Sequence, residues 1–228
     1  MTQKLERQLA AAVQADQPVL VSCLSCIVTP AARYIWPRQI YDNVTPIDDY
    51  LFDRKSLFKG DTYIQSSSLL MPREFFNSIK FPLLRRHEDW DFVLRAVKVG
   101  QARIVTVPET LVMIYLEEDR ESLSTQHNWR EAIAWLDSNR AYIGRRAYSG
   151  FCLTIAMPEA AVEKDYSAFL LGLWRAFRYG SPRLTHIAFY LTFWLVPARW
   201  RRELRAIVRG STIRDRLLDG AKSSGQID

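Results

Sequence analysis

The sequence predicts an α/β body followed by a mainly helical C-terminal extension. Short apolar runs typical of strands alternate with helical patterns in the first half of the 228-residue chain. From about residue 128 onward the pattern is helical only. Because strands interspersed with helices are typical of α/β folds, we expect such a body at 1–126, a helical extension at 127–218 and a disordered tail at 219–228.

Composition and cysteine content favour a soluble protein of a reducing compartment. The chain is 48% hydrophobic and 25% charged, which is ordinary for a globular protein and leaves enough apolar material for a core. The N-terminal stretch "MTQKLERQLAAAV" lacks the apolar segment of a signal peptide. Three cysteines cannot form a disulfide framework. We therefore expect a cytoplasmic protein.

The first elements are a helix and a buried strand. Residues 3–15 have a helical period that places four apolar residues on one face, namely Leu5, Leu9, Ala12 and Val13. Pro18 ends this helix, and "VLVSCLSCIV" follows as a strand. Cys23 and Cys26 form a single C-x-x-C, but the chain lacks a second such pair or a histidine pair that would complete a zinc site. Two buried, unreactive cysteines are the favoured interpretation.

The middle of the body holds short, less regular elements. Residues 30–50 are rich in proline and tyrosine, and "TPIDDYLF" resembles a helix start capped by Thr45. "DTYIQSSSLLMP" indicates a short strand that enters a polar turn, and "REFFNSI" indicates a helical turn. After the next helix, "ARIVTVP" and "TLVMIYL" are either two strands or one strand broken at Pro108.

The helix between these elements begins in "RRHEDWDF", at residues 85–92, and Gly100 closes it. Its apolar residues recur at helical spacing, at Trp90, Val93, Leu94 and Val97. Acidic side chains at a helix start are stabilised by the helix dipole, for about 0.3–1 kcal/mol each, and Arg85 and Arg86 would pair with them. Three acids within four positions exceed what a cap needs, however, and Trp90 offers an aromatic wall for a sugar ring. Both a structural and a functional interpretation stay open.

Longer motifs carry a resemblance to a known family. "SSSLLMPREFF", then "HEDWDFVLRAVKVGQARIVTVPETLVMIY" and "ESLS", resemble the C-terminal half of family 2 glycosyltransferases with the GT-A fold. "NWREAIAW", "NRAYIGRRAYSGFCLT", "YGSPR" and "WLVPARWRRELR" resemble the branch that builds bacterial exopolysaccharides, such as the succinoglycan glucosyltransferases. The resemblance covers nearly the whole chain. It implies an incomplete GT-A-like body before the helical extension.

The resemblance also implies a reaction and its residues. The reaction is an inverting transfer of a sugar from a nucleotide-sugar donor to a saccharide acceptor, which is lipid-linked in this branch. The second acid of the "ED" pair is the general base in the family, and here it is Asp89. A carboxylate within hydrogen-bond reach of the acceptor hydroxyl suits that role. The residues implied to bind the acceptor are His87, Glu88, Trp90, Ser66 and Ser67.

Family features that bind the donor lie outside this sequence. A complete member begins with a strand and a nucleotide-binding region, followed by an Asp-x-Asp that holds Mg²⁺ or Mn²⁺ on the diphosphate. "QKLERQLAAAVQADQPVLVSC" resembles the segment after that motif, so about 90–100 residues of a domain of usual size are expected to be missing. The adjacent Asp48 and Asp49 lack the required spacing. The metal site implied by the family is therefore absent from this sequence.

Two explanations of this missing part remain open. In the first, the start is misassigned or the gene is split, so that the functional enzyme is longer. Otherwise the chain is a truncated, non-catalytic remnant or a membrane-associated helper that binds the acceptor. The donor's leaving diphosphate develops charge that a metal or phosphate ligands normally stabilise, so the activity of this chain alone depends on which explanation holds.

The basic charge is concentrated near the C-terminus. Residues 170–220 carry ten arginines against three acids, a net +7 in a chain of net charge +6. "LTHIAFYLTFWLV" has 13 residues, whereas a membrane span needs about 20. Residues 184–209 are either a core helix followed by a solvated basic helix, or an interfacial helix at the anionic inner face of the cytoplasmic membrane. No nucleic-acid-binding signature accompanies the arginines, so we expect no nucleic-acid partner.

Overall fold

The computed structural model describes residues 3–15, 17, 19–30, 32–57, 61–80, 86–116, 128–197 and 199–201. Its first half contains α1 (Lys4–Val13), β1 (Val19–Val28), β2 (Arg33–Trp36), α2 (Ile47–Phe52), a 3-10 turn (Ser66–Ser68), α3 (Arg73–Ile79), α4 (Glu88–Lys98) and β3 (Arg103–Tyr115). Its second half contains α5 (Trp129–Ser138), α6 (Arg145–Phe151), a π-helical segment (Cys152–Ala156), α7 (Met157–Val162), α8 (Ser167–Tyr179) and α9 (Leu184–Leu195). The predicted mixed α/β class is confirmed at this coarse level. The predicted boundary at 126 and the tail at 219–228 lie outside the described residues.

The described strands form one sheet of order β2-β1-β3. β1 pairs with β3 in parallel and with β2 antiparallel. β3 is a single strand, and its register against β1 shifts between the pairs Cys23↔Val107 and Leu24↔Thr110. Pro108 lies in this irregularity, where its missing N–H breaks no regular ladder bond. Of the two alternatives for this segment, the single strand is therefore correct.

Three local predictions for the first half were wrong. β2 was not predicted, and the strand predicted in "DTYIQSSSLLMP" is reduced to the 3-10 turn and an isolated bridge between Val21 and Leu70. The cap of α2 is Pro46 instead of Thr45. The Thr45 hydroxyl donates a hydrogen bond to the Asp42 carboxylate at 2.9 Å, so it is engaged in the preceding turn.

Helix α1 forms as predicted but packs with a different face. Leu5, Leu9 and Val13 are exposed, whereas Gln8 is fully buried. The Gln8 amide donates to the carbonyl oxygens of Val21 at 3.1 Å and Ser68 at 2.8 Å. These two hydrogen bonds satisfy the buried Nε2 group of Gln8, whereas its Oε1 atom has no hydrogen-bond partner among the described residues. They also tie the 3-10 turn to the sheet.

The cysteine prediction holds in part. Cys23 is buried and Cys26 is half-buried, and both are free thiols. Burial raises the pKa of the Cys23 thiol, which disfavours the reactive thiolate.

The main core is shared by the two halves of the chain. It joins β1, α2 and α4 to the C-terminal helices through large buried side chains, among them Leu20, Phe52, Phe92, Phe151 and Tyr190. Helix α2 adds polar links to this packing. The Asp48 carboxylate lies 2.5 Å from Lys98 Nζ and accepts the Gly144 N–H at 2.7 Å. The body and the extension are thus joined by apolar contacts, by the Gly144 hydrogen bond and by the ion pair of Arg183 with Asp53.

Candidate functional site

The predicted helix start in "RRHEDWDF" is confirmed as the first turn of α4. His87 caps this helix with φ of 64°, a left-handed conformation that is uncommon for residues other than glycine. Arg86 does not pair with the neighbouring acids as predicted. Instead, its guanidinium binds both carboxylate oxygens of Glu159 in α7, one at 2.8 Å. Arg85 lies outside the described residues.

The three acids of this turn have different environments. Asp91 is buried, and its carboxylate accepts the Trp135 indole N–H at 3.1 Å and pairs with Arg95 at 2.7 Å. Such a satisfied carboxylate is structural. Glu88, at the first position of the helix, is half-buried. Of the three acids, Asp89 is therefore the candidate for a chemical role.

Asp89 is half-buried, and its Oδ1 atom is shielded from solvent without a hydrogen-bond partner among the described residues. Burial raises the pKa of this carboxyl group, while hydrogen bonding to the backbone amide and hydroxyl of Ser66 opposes the shift. A raised pKa brings a carboxylate closer to the range in which it can take and return a proton near neutral pH. Asp89 is thus a half-buried carboxylate with one shielded oxygen that makes no hydrogen bond to the described residues.

The serine turn lies beside Asp89. Ser66 and Ser67 are exposed, whereas Ser68 is buried. The Ser68 carbonyl oxygen accepts hydrogen bonds from Gln8 at 2.8 Å and from the Cys23 thiol at 3.6 Å. The buried end of the turn is therefore fixed to α1 and β1. The structure brings Ser66 together with Asp89 and leaves the two serine side chains facing solvent.

An aromatic group that the sequence motifs did not predict lies near Asp89. The charge of Asp89 contributes to the raised pKa of the Tyr63 phenol, after the larger effect of burial. The Tyr63 ring lies 5.3 Å from that of Trp36, which in turn lies 5.3 Å from that of Tyr34. The Trp36 indole N–H is buried without a hydrogen-bond partner within the described ranges. Tyr34, Trp36 and Tyr63 thus form an aromatic row next to Asp89.

His87 and Trp90 belong to a second aromatic group, which faces the core. The His87 ring stacks on the Trp90 indole at 5.0 Å and lies 5.3 Å from Phe151. The Phe52 ring contacts Trp90 edge-on at 5.4 Å. His87 therefore covers one face of the indole that was expected to support a sugar. An acceptor-binding role for His87, Glu88, Trp90 and Ser67 stays a prediction.

His87 makes the stability of the fold depend on pH. Burial lowers the pKa of its imidazole to about 4, whereas the unfolded value is about 6.5. Between these values the unfolded chain binds more protons, so stability is lost as the pH falls from 6.5 towards 4. We expect His87→Phe to reduce this loss. Urea midpoints at pH 7 and pH 5 would measure it, and an equal loss in the variant and the wild type would contradict the assignment.

The resemblance implies a metal ion, which acidic side chains would have to hold. Within the part of the chain that the structure describes, no group of three or more His, Cys, Asp or Glu residues could hold a metal ion. Asp48, one of the two adjacent acids, is engaged by Lys98 and by the Gly144 N–H. The described residues therefore do not supply the metal site that the family implies.

A cavity of about 600 Å³ lies elsewhere, between α1 and the amino ends of β1 and β3. Its lining includes Ala11, Gln14, Val19 and Arg103. The aromatic row lies nearer the other end, since Trp36 pairs with Ser25 in the carboxyl half of β1. Ligands of α/β sheets bind at the carboxyl ends of strands. This rule favours the surroundings of Asp89 over the cavity.

Comparisons with protein-family models, with curated proteins and with solved structures find no significant match for this chain.

Proposed function

We propose that this chain is a glycosyltransferase of the family 2 type that transfers a sugar, with inversion, from a nucleotide-sugar to a lipid-linked saccharide in bacterial exopolysaccharide biosynthesis. The observation that carries the proposal is the unpartnered Oδ1 atom of Asp89, half-buried beside an exposed serine turn. A carboxylate used only to cap a helix would have its oxygens satisfied by backbone N–H groups or by solvent.

The architecture supports a GT-A-like body without establishing it. A parallel strand pair, flanked by helices and followed by a helix that starts with the acidic motif, agrees with that fold. The helical extension packs directly behind this motif, because Phe151 of α6 contacts the His87 ring at 5.3 Å. The proposed active site is thus supported from behind by the second half of the chain.

In the proposed reaction Asp89 acts as the general base. Its carboxylate takes the proton from an acceptor hydroxyl while that oxygen forms a bond to the anomeric carbon of the donor sugar. The bond from that carbon to the diphosphate breaks at the same time, so the nucleoside diphosphate leaves and the configuration inverts. The proton remains on Asp89 until solvent removes it. Ser66, which lies beside Asp89 and lowers its pKa, would orient the carboxylate.

The proposed partners are a nucleotide-sugar donor and a saccharide acceptor at the inner face of the cytoplasmic membrane. Of the helices that the structure describes, each is too short or too polar to cross a bilayer. A peripheral location agrees with this finding and with a lipid-linked acceptor.

A transfer assay would test the proposal. The full chain is incubated with radiolabelled nucleotide-sugars and a bacterial lipid extract, with Mg²⁺, with Mn²⁺ or with EDTA, and label in the lipid fraction is counted. We expect label to enter the lipid fraction in a time-dependent manner. Saturable binding of acceptor saccharides without transfer would support the non-catalytic helper instead. Neither transfer nor binding would reject the proposed function.

A further inference from the structure

Helix α8 presents an apolar stripe to solvent. Tyr166, Leu170, Trp174 and Phe177 are between 53% and 73% exposed and recur at intervals of four, four and three residues. This spacing places them on one side of a helix, along about 16 Å of its length. The opposite side carries small buried residues, namely Ala168, Gly172 and Ala176. These allow α8 to lie close to the helices beneath it.

Large side chains exposed in a contiguous row mark an interaction surface. For residues 184–209 the sequence left two alternatives open, a core helix followed by a solvated basic helix or an interfacial helix. In the structure, however, Tyr190 is fully buried, and Leu191 and Trp194 pack against the main core. These three side chains of α9 thus contribute to the core, whereas Leu184 and Leu195 of the same helix are exposed. The exposed row that contains aromatic side chains belongs to α8.

An exposed arginine lies at the C-terminal end of the α8 stripe. Arg178 follows Phe177 directly, and its guanidinium lies 5.6 Å from the Tyr179 ring. At the other end, the Tyr166 ring lies 6.2 Å from Trp194 near the end of α9, and Arg199 follows that helix. In the sequence, residues 170–220 carry a net charge of +7. Aromatic and aliphatic side chains between clustered arginines are typical of helices that lie in a membrane interface.

We propose that the exposed face of α8 docks on an anionic lipid surface. Trp174 and Phe177 enter the boundary between headgroups and acyl chains, and Arg178 binds a lipid phosphate. Charge selects lipid over a second copy of the chain, because two chains that each carry a net charge of +6 repel each other. An anionic leaflet instead attracts each arginine near its surface. This inference goes beyond the proposed function, since docking requires neither donor nor acceptor.

Vesicle sedimentation tests this docking. The full chain is mixed with phosphatidylcholine vesicles or with vesicles that also contain phosphatidylglycerol, at low and high salt. We expect binding to the anionic vesicles that weakens with salt. Leu170→Glu should lower the affinity at least about ten-fold, because it removes a lipid-buried leucine and adds a repelled charge. The matched control is Leu9→Glu on α1, where the leucine is 59% exposed but lies outside the stripe; its affinity should be unchanged.

Other outcomes would overturn the docking proposal. These are an equal loss in the two glutamate variants, salt-independent binding to neutral vesicles, or no binding at all. A dimer in light scattering that Leu170→Glu dissociates, without vesicle binding, would make the stripe a self-contact. Circular dichroism verifies that each variant is folded. Asp89→Asn should bind vesicles like the wild type, so failure of sugar transfer and failure of docking are separate results.

Discussion

Replacing Asp89 by asparagine is expected to lower the rate of sugar transfer by about 10²–10⁴-fold or more, the usual contribution of a general base. Asparagine has nearly the same shape but cannot take a proton from a hydroxyl. The fold should persist, because Oδ1 of Asp89 makes no hydrogen bond to any described residue. The transfer assay and a thermal melt, run on the same preparation, would measure both effects.

The raised pKa of Asp89 determines how the transfer rate and the stability of the protein change with pH. Because the base must be ionised, the transfer rate of the wild type should rise with pH through this pKa and then level off. In the folded protein the ionised form of Asp89 is less favourable than it is in the unfolded chain. At pH values above the pKa of the unfolded chain, the ionised carboxylate therefore lowers the free energy of unfolding. Asp89→Asn should therefore leave the melting temperature at pH 7 unchanged or slightly higher.

The two neighbouring acids provide matched controls. Glu88→Gln removes a charge from the same turn and should leave stability nearly unchanged, with a smaller effect on transfer than Asp89→Asn. Asp91→Asn should lower stability, because the pairing of the buried Asp91 with the half-buried Arg95 and the acceptor for Trp135 are weakened. If all three variants reduce transfer equally, the cluster acts only through its total charge and Asp89 is not the base.

The sequence predicted those elements whose burial pattern is locally visible. β1 was found at its observed bounds because an apolar run of β-branched residues permits few other structures. Helix α1 was found, but its buried face was not, since Gln8 is buried through hydrogen bonds to Val21 and Ser68. Such partners are distant in sequence and invisible to periodicity. β2 was missed because its short alternating pattern lies in a segment dominated by proline and tyrosine.

The candidate site was predictable only in part for the same reason. Asp89 and Ser66 came from motifs, and the structure brings them together. Tyr63 and Trp36 belong to no motif, and only the fold places their rings 5.3 Å apart beside the acid. Arg86 was assigned to the neighbouring acids, whereas its partner Glu159 lies in another half of the chain. Proximity in sequence is a poor guide to pairing when a buried carboxylate from another element is available.

Replacing Gly150 by alanine is expected to destabilise the protein by at least about 3 kcal/mol, at the upper end of the usual cost of overpacking a core. In an ordinary helix this change is stabilising by about 1 kcal/mol. Here a Cβ atom at position 150 would lie 2.0 Å from the carbonyl oxygen of Phe52 and 2.9 Å from its carbonyl carbon. Backbone atoms cannot move aside as the end of a flexible side chain can, so α2 and α6 would have to separate.

This separation would reach the candidate site, since the Phe52 ring packs against Trp90 in α4 at 5.4 Å and against Phe151 at 5.2 Å. Gly144→Ala is the matched control at the start of the same helix, because its Cβ would meet only the Asp48 carboxylate, at 3.2 Å. Chemical denaturation of both variants would compare their free energies of unfolding. Equal stability of the two would show that α6 does not press on α2 at Gly150, and that the helical extension does not set the position of the Asp89 helix through this contact.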